Sequence, residues 1–149
     1  VTALRDRLVP LASVLTPNLP EAADLLATDA ANTRPDMEMQ AKALLATGPS
    51  AVLLKGGHLS GADSPDLLMT REGAHWLEGA RHASRNTHGT GCTLSSALAT
   101  QMGAGLPLPR AVARAKAYVT AAIARSDALT VGSGHGPVHH FHAVFPEVS

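Results

Sequence analysis

Arg85-Asn86-Thr87-His88-Gly89-Thr90-Gly91-Cys92-Thr93-Leu94-Ser95-Ser96-Ala97-Leu98-Ala99 is the stretch that leaves this chain the least freedom. A polar run ends in two glycines around a threonine, then passes into small and apolar residues that favour a helix. Glycine lets the backbone turn tightly and approach a ligand closely. A helix starting there points its unpaired N–H groups and the positive end of its dipole at one spot, which suits a phosphate. The only cysteine of the chain, Cys92, stands at that spot, where a helix N-terminus favours the thiolate. The plainer alternative is a loop-to-helix connection over a buried structural cysteine.

The rest of the chain alternates apolar runs of strand length with helical patterns. Residues 2–8 read as a short helix with Leu4 and Leu8 on one face, stopped by Pro10. Residues 11–16 are apolar on successive positions, as in a parallel strand covered on both faces. A helix follows from Asn18-Leu19-Pro20-Glu21 to about residue 27, with Pro20 and Glu21 suited to its first turn. A second begins at Asp36, places Met37, Ala41, Leu44 and Leu45 at helical spacing, and ends at Gly48-Pro49. Ala51-Val52-Leu53-Leu54 is a second buried strand, which delivers Lys55-Gly56-Gly57-His58 to the carboxyl end of the sheet, where open α/β sheets hold their ligands. Residues 66–70, 74–77 and 81–84 then predict a meander of short strands at one edge. Helices are expected over 91–103 and 108–126, and a last short strand or a covering segment over 138–144.

Composition excludes several classes. Twelve basic residues balance twelve acidic ones, so no basic field for nucleic acid or an acidic membrane arises. Aromatic residues are 3% of the chain, too few for a base-stacking platform. One cysteine precludes an internal disulfide framework and fits a reducing, cytoplasmic setting. No apolar run approaches the roughly 20 residues of a membrane span. The chain begins at Val1 without Met or a signal-peptide layout, as a piece of a larger protein would.

Thr87-His88-Gly89-Thr90-Gly91-Cys92-Thr93-Leu94-Ser95 resembles the signature of the ribokinase-like small-molecule kinases. It is most similar to the branch of hydroxymethylpyrimidine and hydroxymethylpyrimidine-phosphate kinases of thiamine biosynthesis. Most of that superfamily has an aspartate as catalytic base where this branch, like this chain, has cysteine. Thr16-Pro17-Asn18-Leu19-Pro20-Glu21, Lys55-Gly56-Gly57-His58 and Gly134-His135-Gly136-Pro137-Val138-His139-His140-Phe141 resemble further motifs of the branch, in its order.

The resemblance implies a three-layer α/β/α fold, mostly parallel, with an antiparallel meander at one edge. It implies ATP- and Mg²⁺-dependent phosphorylation of 4-amino-5-hydroxymethyl-2-methylpyrimidine and then of its monophosphate. Cys92 becomes the catalytic residue, taking the hydroxyl proton or orienting the hydroxyl. The N–H groups of Gly89, Thr90 and Gly91, with that of Cys92, become an anion hole. Lys55 is expected on nucleotide or product phosphate as a point charge, with Asp66, Thr70 and Thr87 contacting the nucleotide or shaping that wall. Asn18 and Glu21 are expected to hold hydrated Mg²⁺ through water, or merely to cap a helix, which their spacing suits equally. His135, His139, His140 and His142 invite a metal, yet lack a closed ligand set, and packing is the expected role. Lys42 and Lys116 read as solvated helix faces.

The resemblance covers the C-terminal half, or a little more, of a typical member. The expectation is therefore a single, incomplete kinase domain over 1–149, without the first strands, the lid and most pyrimidine contacts, and a homodimer when complete. Pyridoxal or hydroxyethylthiazole kinase activity and a non-catalytic pyrimidine-phosphate-binding remnant stay open as alternatives.

Overall fold

Asn18 and Thr33 open their helices in the same reciprocal way. The Asn18 side-chain oxygen accepts the Glu21 N–H at 2.8 Å while Glu21 accepts the Asn18 N–H at 2.7 Å. Thr33 and Asp36 repeat the pattern, with Asp36 accepting the Thr33 N–H at 3.0 Å. Each box satisfies two donors that the helix itself leaves orphaned. In the computed structural model, which describes residues 1–145, the first box starts α1 (Leu19–Leu26) and the second α2 (Arg34–Leu45). The second helix starts ahead of Asp36 because the cap is Thr33 and Asp36 is its reciprocal partner. The chain forms two units, Val1–Arg81 and His82–Ser149.

In the first unit β1 (Val52–Lys55) pairs antiparallel with β2 (Asp66–Thr70), and β2 with β3 (Gly73–Leu77). Met37, Ala41 and Leu44 of α2 and Leu19, Ala22 and Leu25 of α1 are buried in one cluster with Val52, Leu54, Leu67 and Met69. Leu53 and Leu68, which point to the opposite face by the two-residue period of a strand, are buried as well. The apolar run thus marks a two-sided strand, as expected.

The parallel neighbour of β1 is present but broken. The Leu15 N–H bonds to the Ala51 carbonyl at 2.9 Å, the Leu53 N–H to Leu15 at 2.7 Å and the Lys55 N–H to Pro17 at 2.9 Å. The result is two isolated parallel bridges, Leu15 to Val52 and Asn18 to Lys55. Pro17 lacks an N–H to continue the ladder. All three full strands are antiparallel to their neighbours, so within the described residues the parallel part of the sheet is confined to those bridges.

Three other expectations change. Residues 2–8 do not bury Leu4 and Leu8, which are 48% and 59% exposed. The segment widens to a π turn over Leu4–Leu8 and tightens to a 3₁₀ turn over Val9–Leu11, leaving Val9 as the buried residue. A wider turn no longer stacks residues four apart. Residues 81–84 form no strand, and Ala80 makes a single bridge to Asp63. The strand alternative over 138–144 does not form and the covering one does: Val138 is buried, residues 140–144 are turns, and one bridge upstream joins Pro137 to His88.

In the second unit α3 (Thr90–Gly103) packs on α4 (Leu108–Ala124). Leu94 and Leu98 are buried on the first, and Ala111, Val112, Ala115, Val119 and Ala122 on the second. The small residues of α4 allow close approach. No helix among the described residues is long and apolar enough to cross a membrane.

The second box gives a pH signature. The Thr33 hydroxyl, with the Asn32 and Thr33 amides, holds the Asp36 carboxyl below its ordinary pKa of 3.8. A depressed folded pKa adds stability that is complete above the unfolded value and lost as pH falls through the folded one. Asp36→Asn is therefore expected to lower the melting temperature at about pH 6 and to change it little at about pH 2. Thermal scans at the two values check this, and an equal loss at both would remove the charge from the account.

Candidate functional site

The turn before α3 follows the sequence closely. Gly89 sits at the helix N-cap with φ +82°, a left-handed conformation that glycine adopts without strain. No side chain caps this helix, unlike α1 and α2. The Thr93 N–H closes the first helical bond to the Gly89 carbonyl at 2.9 Å. The Thr90 N–H turns back to the Thr87 carbonyl at 3.3 Å, and the Thr90 hydroxyl donates to the same oxygen at 2.7 Å. Among the described residues, no protein acceptor meets the N–H groups of Gly89, Gly91 or Cys92. Three of the four expected anion-hole amides are thus open, and the fourth, that of Thr90, is in use.

Cys92 is exposed, which removes the reading of a buried structural cysteine. It borders a cleft of about 550 Å³ between α3 and α4, lined also by Thr93, Ser96, Arg114, Tyr118 and His140. Sequence reasoning had no means of finding Arg114 and Tyr118, which sit on α4 and meet Cys92 only through helix packing. Thr87 is exposed beside the turn.

The first unit assembles a second group of expected residues. The bridge between Asn18 and Lys55 brings the α1 cap to the end of β1. The Lys55 ammonium lies 3.9 Å from the Glu21 carboxylate, with the lysine side chain 19% exposed and that of Glu21 56%. The capping role of Asn18 and Glu21 is realised, and it engages Oε2 of the Glu21 carboxylate, the same oxygen that faces Lys55. For magnesium the donor set is thin, since no group of three His, Cys, Asp or Glu among the described residues is placed to hold a metal. One carboxylate oxygen fits a hydrated ion arriving with a nucleotide, because Mg²⁺ keeps its waters.

Asp66 is buried, and its carboxylate accepts the Gly56 N–H at 3.0 Å, shaping the turn after Lys55 rather than facing outward. Thr70 lies at the far end of β2, where its hydroxyl donates to the Gly73 carbonyl at 3.4 Å and accepts the Glu72 N–H at 3.1 Å. It belongs to the hairpin turn and is not brought to Lys55. Arg81, which the sequence did not mark, organises the same loop: its guanidinium donates to the carbonyls of Gly57 and Leu59, both at 2.6 Å, and of Gly61 and Asp63.

The tail histidines make packing contacts. His142 lies 5.1 Å from the Tyr118 ring, the His139 N–H bonds to the Ala122 carbonyl, and the His135 ring meets the Arg85 carbonyl at 3.3 Å.

Comparison with known proteins adds a family and a fold. The phosphomethylpyrimidine kinase family model matches residues 1–139. A hydroxymethylpyrimidine/phosphomethylpyrimidine kinase of Salmonella typhimurium is 53% identical over 96% of this chain and 54% of its own length. The thiamine biosynthesis bifunctional protein ThiED of Geobacter sulfurreducens is 47% identical over 94% of this chain and 28% of its own. An ADP complex of Bacillus subtilis pyridoxal kinase superposes with a TM-score of 0.89 at 37% identity, over 95% of this chain and 54% of that one. The expected ribokinase-like α/β fold is the one such structures have. The chain spans about half the length of the curated kinases it matches.

The two glycines after Lys55 differ in what they tolerate. A Cβ on Gly56 would overlap the Pro65 carbonyl oxygen, whereas one on Gly57 would meet only the Ser64 hydroxyl at 3.6 Å. Gly56→Ala is expected to cost about 1–3 kcal/mol and Gly57→Ala less than about 0.5 kcal/mol in urea unfolding.

Proposed function

The chain belongs to the phosphomethylpyrimidine kinase family, and on that premise we propose that it supplies the phosphoryl-transfer half of an ATP-dependent kinase. The substrate is 4-amino-5-hydroxymethyl-2-methylpyrimidine, followed by its monophosphate, on the route to thiamine diphosphate. The observation that carries the reading is an uncapped helix start whose open amides stand beside an exposed cysteine.

Phosphoryl transfer needs positioning and charge neutralisation more than covalent help from the protein. The hydroxymethyl oxygen bonds to the γ-phosphorus as the bond to the β–γ bridging oxygen breaks, and ADP leaves. Cys92 receives the hydroxyl proton as thiolate or holds the hydroxyl in line. The open amides of Gly89, Gly91 and Cys92 meet charge developing on the phosphoryl oxygens. Lys55 exchanges its contact with Glu21 for a nucleotide phosphate. Glu21, through the carboxylate oxygen that its cap does not use, and Asn18 would hold a hydrated Mg²⁺, which would neutralise phosphate charge. Asp66 shapes the turn after Lys55 through Gly56, and Thr87, exposed beside its own turn, is assigned to the nucleotide. The complete enzyme is proposed as a cytoplasmic homodimer that contacts neither nucleic acid nor membrane.

Similarity to pyridoxal kinase structures supports one rival, pyridoxal phosphorylation. A non-catalytic protein that binds pyrimidine phosphate is the other. ATP consumption by the chain extended to the length of its relatives, with hydroxymethylpyrimidine, pyridoxal and hydroxyethylthiazole in turn, separates the three. The pyrimidine is expected to turn over fastest, and no turnover with any alcohol would overturn the kinase reading. In that enzyme Cys92→Ala is expected to lower kcat by roughly 10²–10⁴, while an unchanged rate would remove Cys92 from the chemistry.

A further inference from the structure

The reaction as derived gives the Gly134-His135-Gly136-Pro137 segment no part, yet this segment is tied to the turn that carries Cys92. The Gly136 N–H donates to the Asn86 side-chain oxygen at 3.1 Å, and the Gly136 carbonyl accepts the His88 N–H at 3.1 Å. His135 meets Arg85, and Pro137 bridges His88 in parallel. Asn86 also reaches the other way. Its side-chain amide donates to the Ser126 carbonyl at 3.0 Å and toward Asp127 at 3.4 Å, and its own N–H donates to the Ser84 hydroxyl at 3.0 Å. That hydroxyl in turn bonds Asp127 at 2.7 Å and lies 2.9 Å from the hydroxyl of fully buried Ser126. The fit leaves no slack, because a Cβ on Gly136 would overlap the Asn86 side chain.

We propose that Asn86 is a positioning residue for the phosphate-holding turn, and that Gly136 is the backbone surface against which it is braced. The inference rests on the kinase reading above. A turn with glycines at 89 and 91 has little stiffness of its own, so its amides need an external reference. Asn86 supplies one by joining the entry to the turn, the Ser126–Ala128 turn after α4 and the tail. A displacement of about 1 Å at reacting groups costs on the order of 10² in rate.

The test uses the extended enzyme with Asn86→Ala, Gly136→Ala and both together. Each single change is expected to lower kcat by about tenfold to a hundredfold while the KM for the pyrimidine stays within about twofold. The double variant is expected to be no slower than the slower single one, as groups acting as one unit are non-additive. Amide hydrogen exchange at His88 is expected to rise in all three, with Leu98 unchanged. Additive losses in kcat, or faster exchange at His88 with kcat unchanged, would overturn the positioning role. Unchanged exchange at His88 would overturn the brace itself. Should the unsubstituted enzyme turn over no alcohol, the kinase reading falls and exchange alone still decides the brace.

Discussion

Backbone donors without partners set the terms of this molecule. A helix leaves its first N–H groups unpaired, and something must meet them. At α1 and α2 the chain supplies its own side chains, as reciprocal boxes. At α3 it supplies none, and places glycine where a capping side chain would stand. The same polypeptide thus closes two helix starts with side chains and leaves those of α3 and α4 without one, and of these two the start of α3 carries the sole thiol. The difference lies in residue type: Asn and Thr carry an oxygen that can fold back, and glycine carries nothing.

Legibility in the sequence follows from the range of the interaction. The box at Asn18, the glycine turn at 89 and the buried run around Val52 are local patterns, and they were readable; the box at Thr33 was missed, because Asp36 reads as a helix start when it is the reciprocal partner of a cap three residues earlier. The π turn at Leu4–Leu8 was not, because a spacing of four presumes an ordinary helix. Pro17 showed in the sequence, but its effect on the ladder depended on which N–H groups faced β1. Thr70 is held in the β2–β3 turn, a placement that β-propensity alone does not announce. The roles of Arg81 and Asn86 escaped altogether. Their bonds reach carbonyls and amides 18 to 50 residues away, and no periodicity announces such contacts.

Family and substrate rest on different residues. In the proposed reaction Gly-Thr-Gly-Cys and its helix serve the phosphate, which every alcohol kinase of this kind must handle. They separate kinases from other classes and do little to separate one alcohol from another. Discrimination between a pyrimidine and a pyridine needs groups that meet the ring, and a cleft that Cys92 lines together with Arg114, Tyr118 and His140 is a concave surface beside it. The sequence relatives point to the pyrimidine and a structural relative to pyridoxal phosphorylation, which is what a shared phosphate machinery with separately shaped rings produces.

Bonds spanning half a hundred positions also impose an order in time. While a ribosome is still adding residues beyond Leu129, α3 and α4 can already pair as a local hairpin, since neighbouring helices meet early. The loop ahead of Cys92 acquires its final shape only after Gly136 emerges. Until then the Asn86 oxygen and the His88 amide lack the backbone partner that the folded chain gives them.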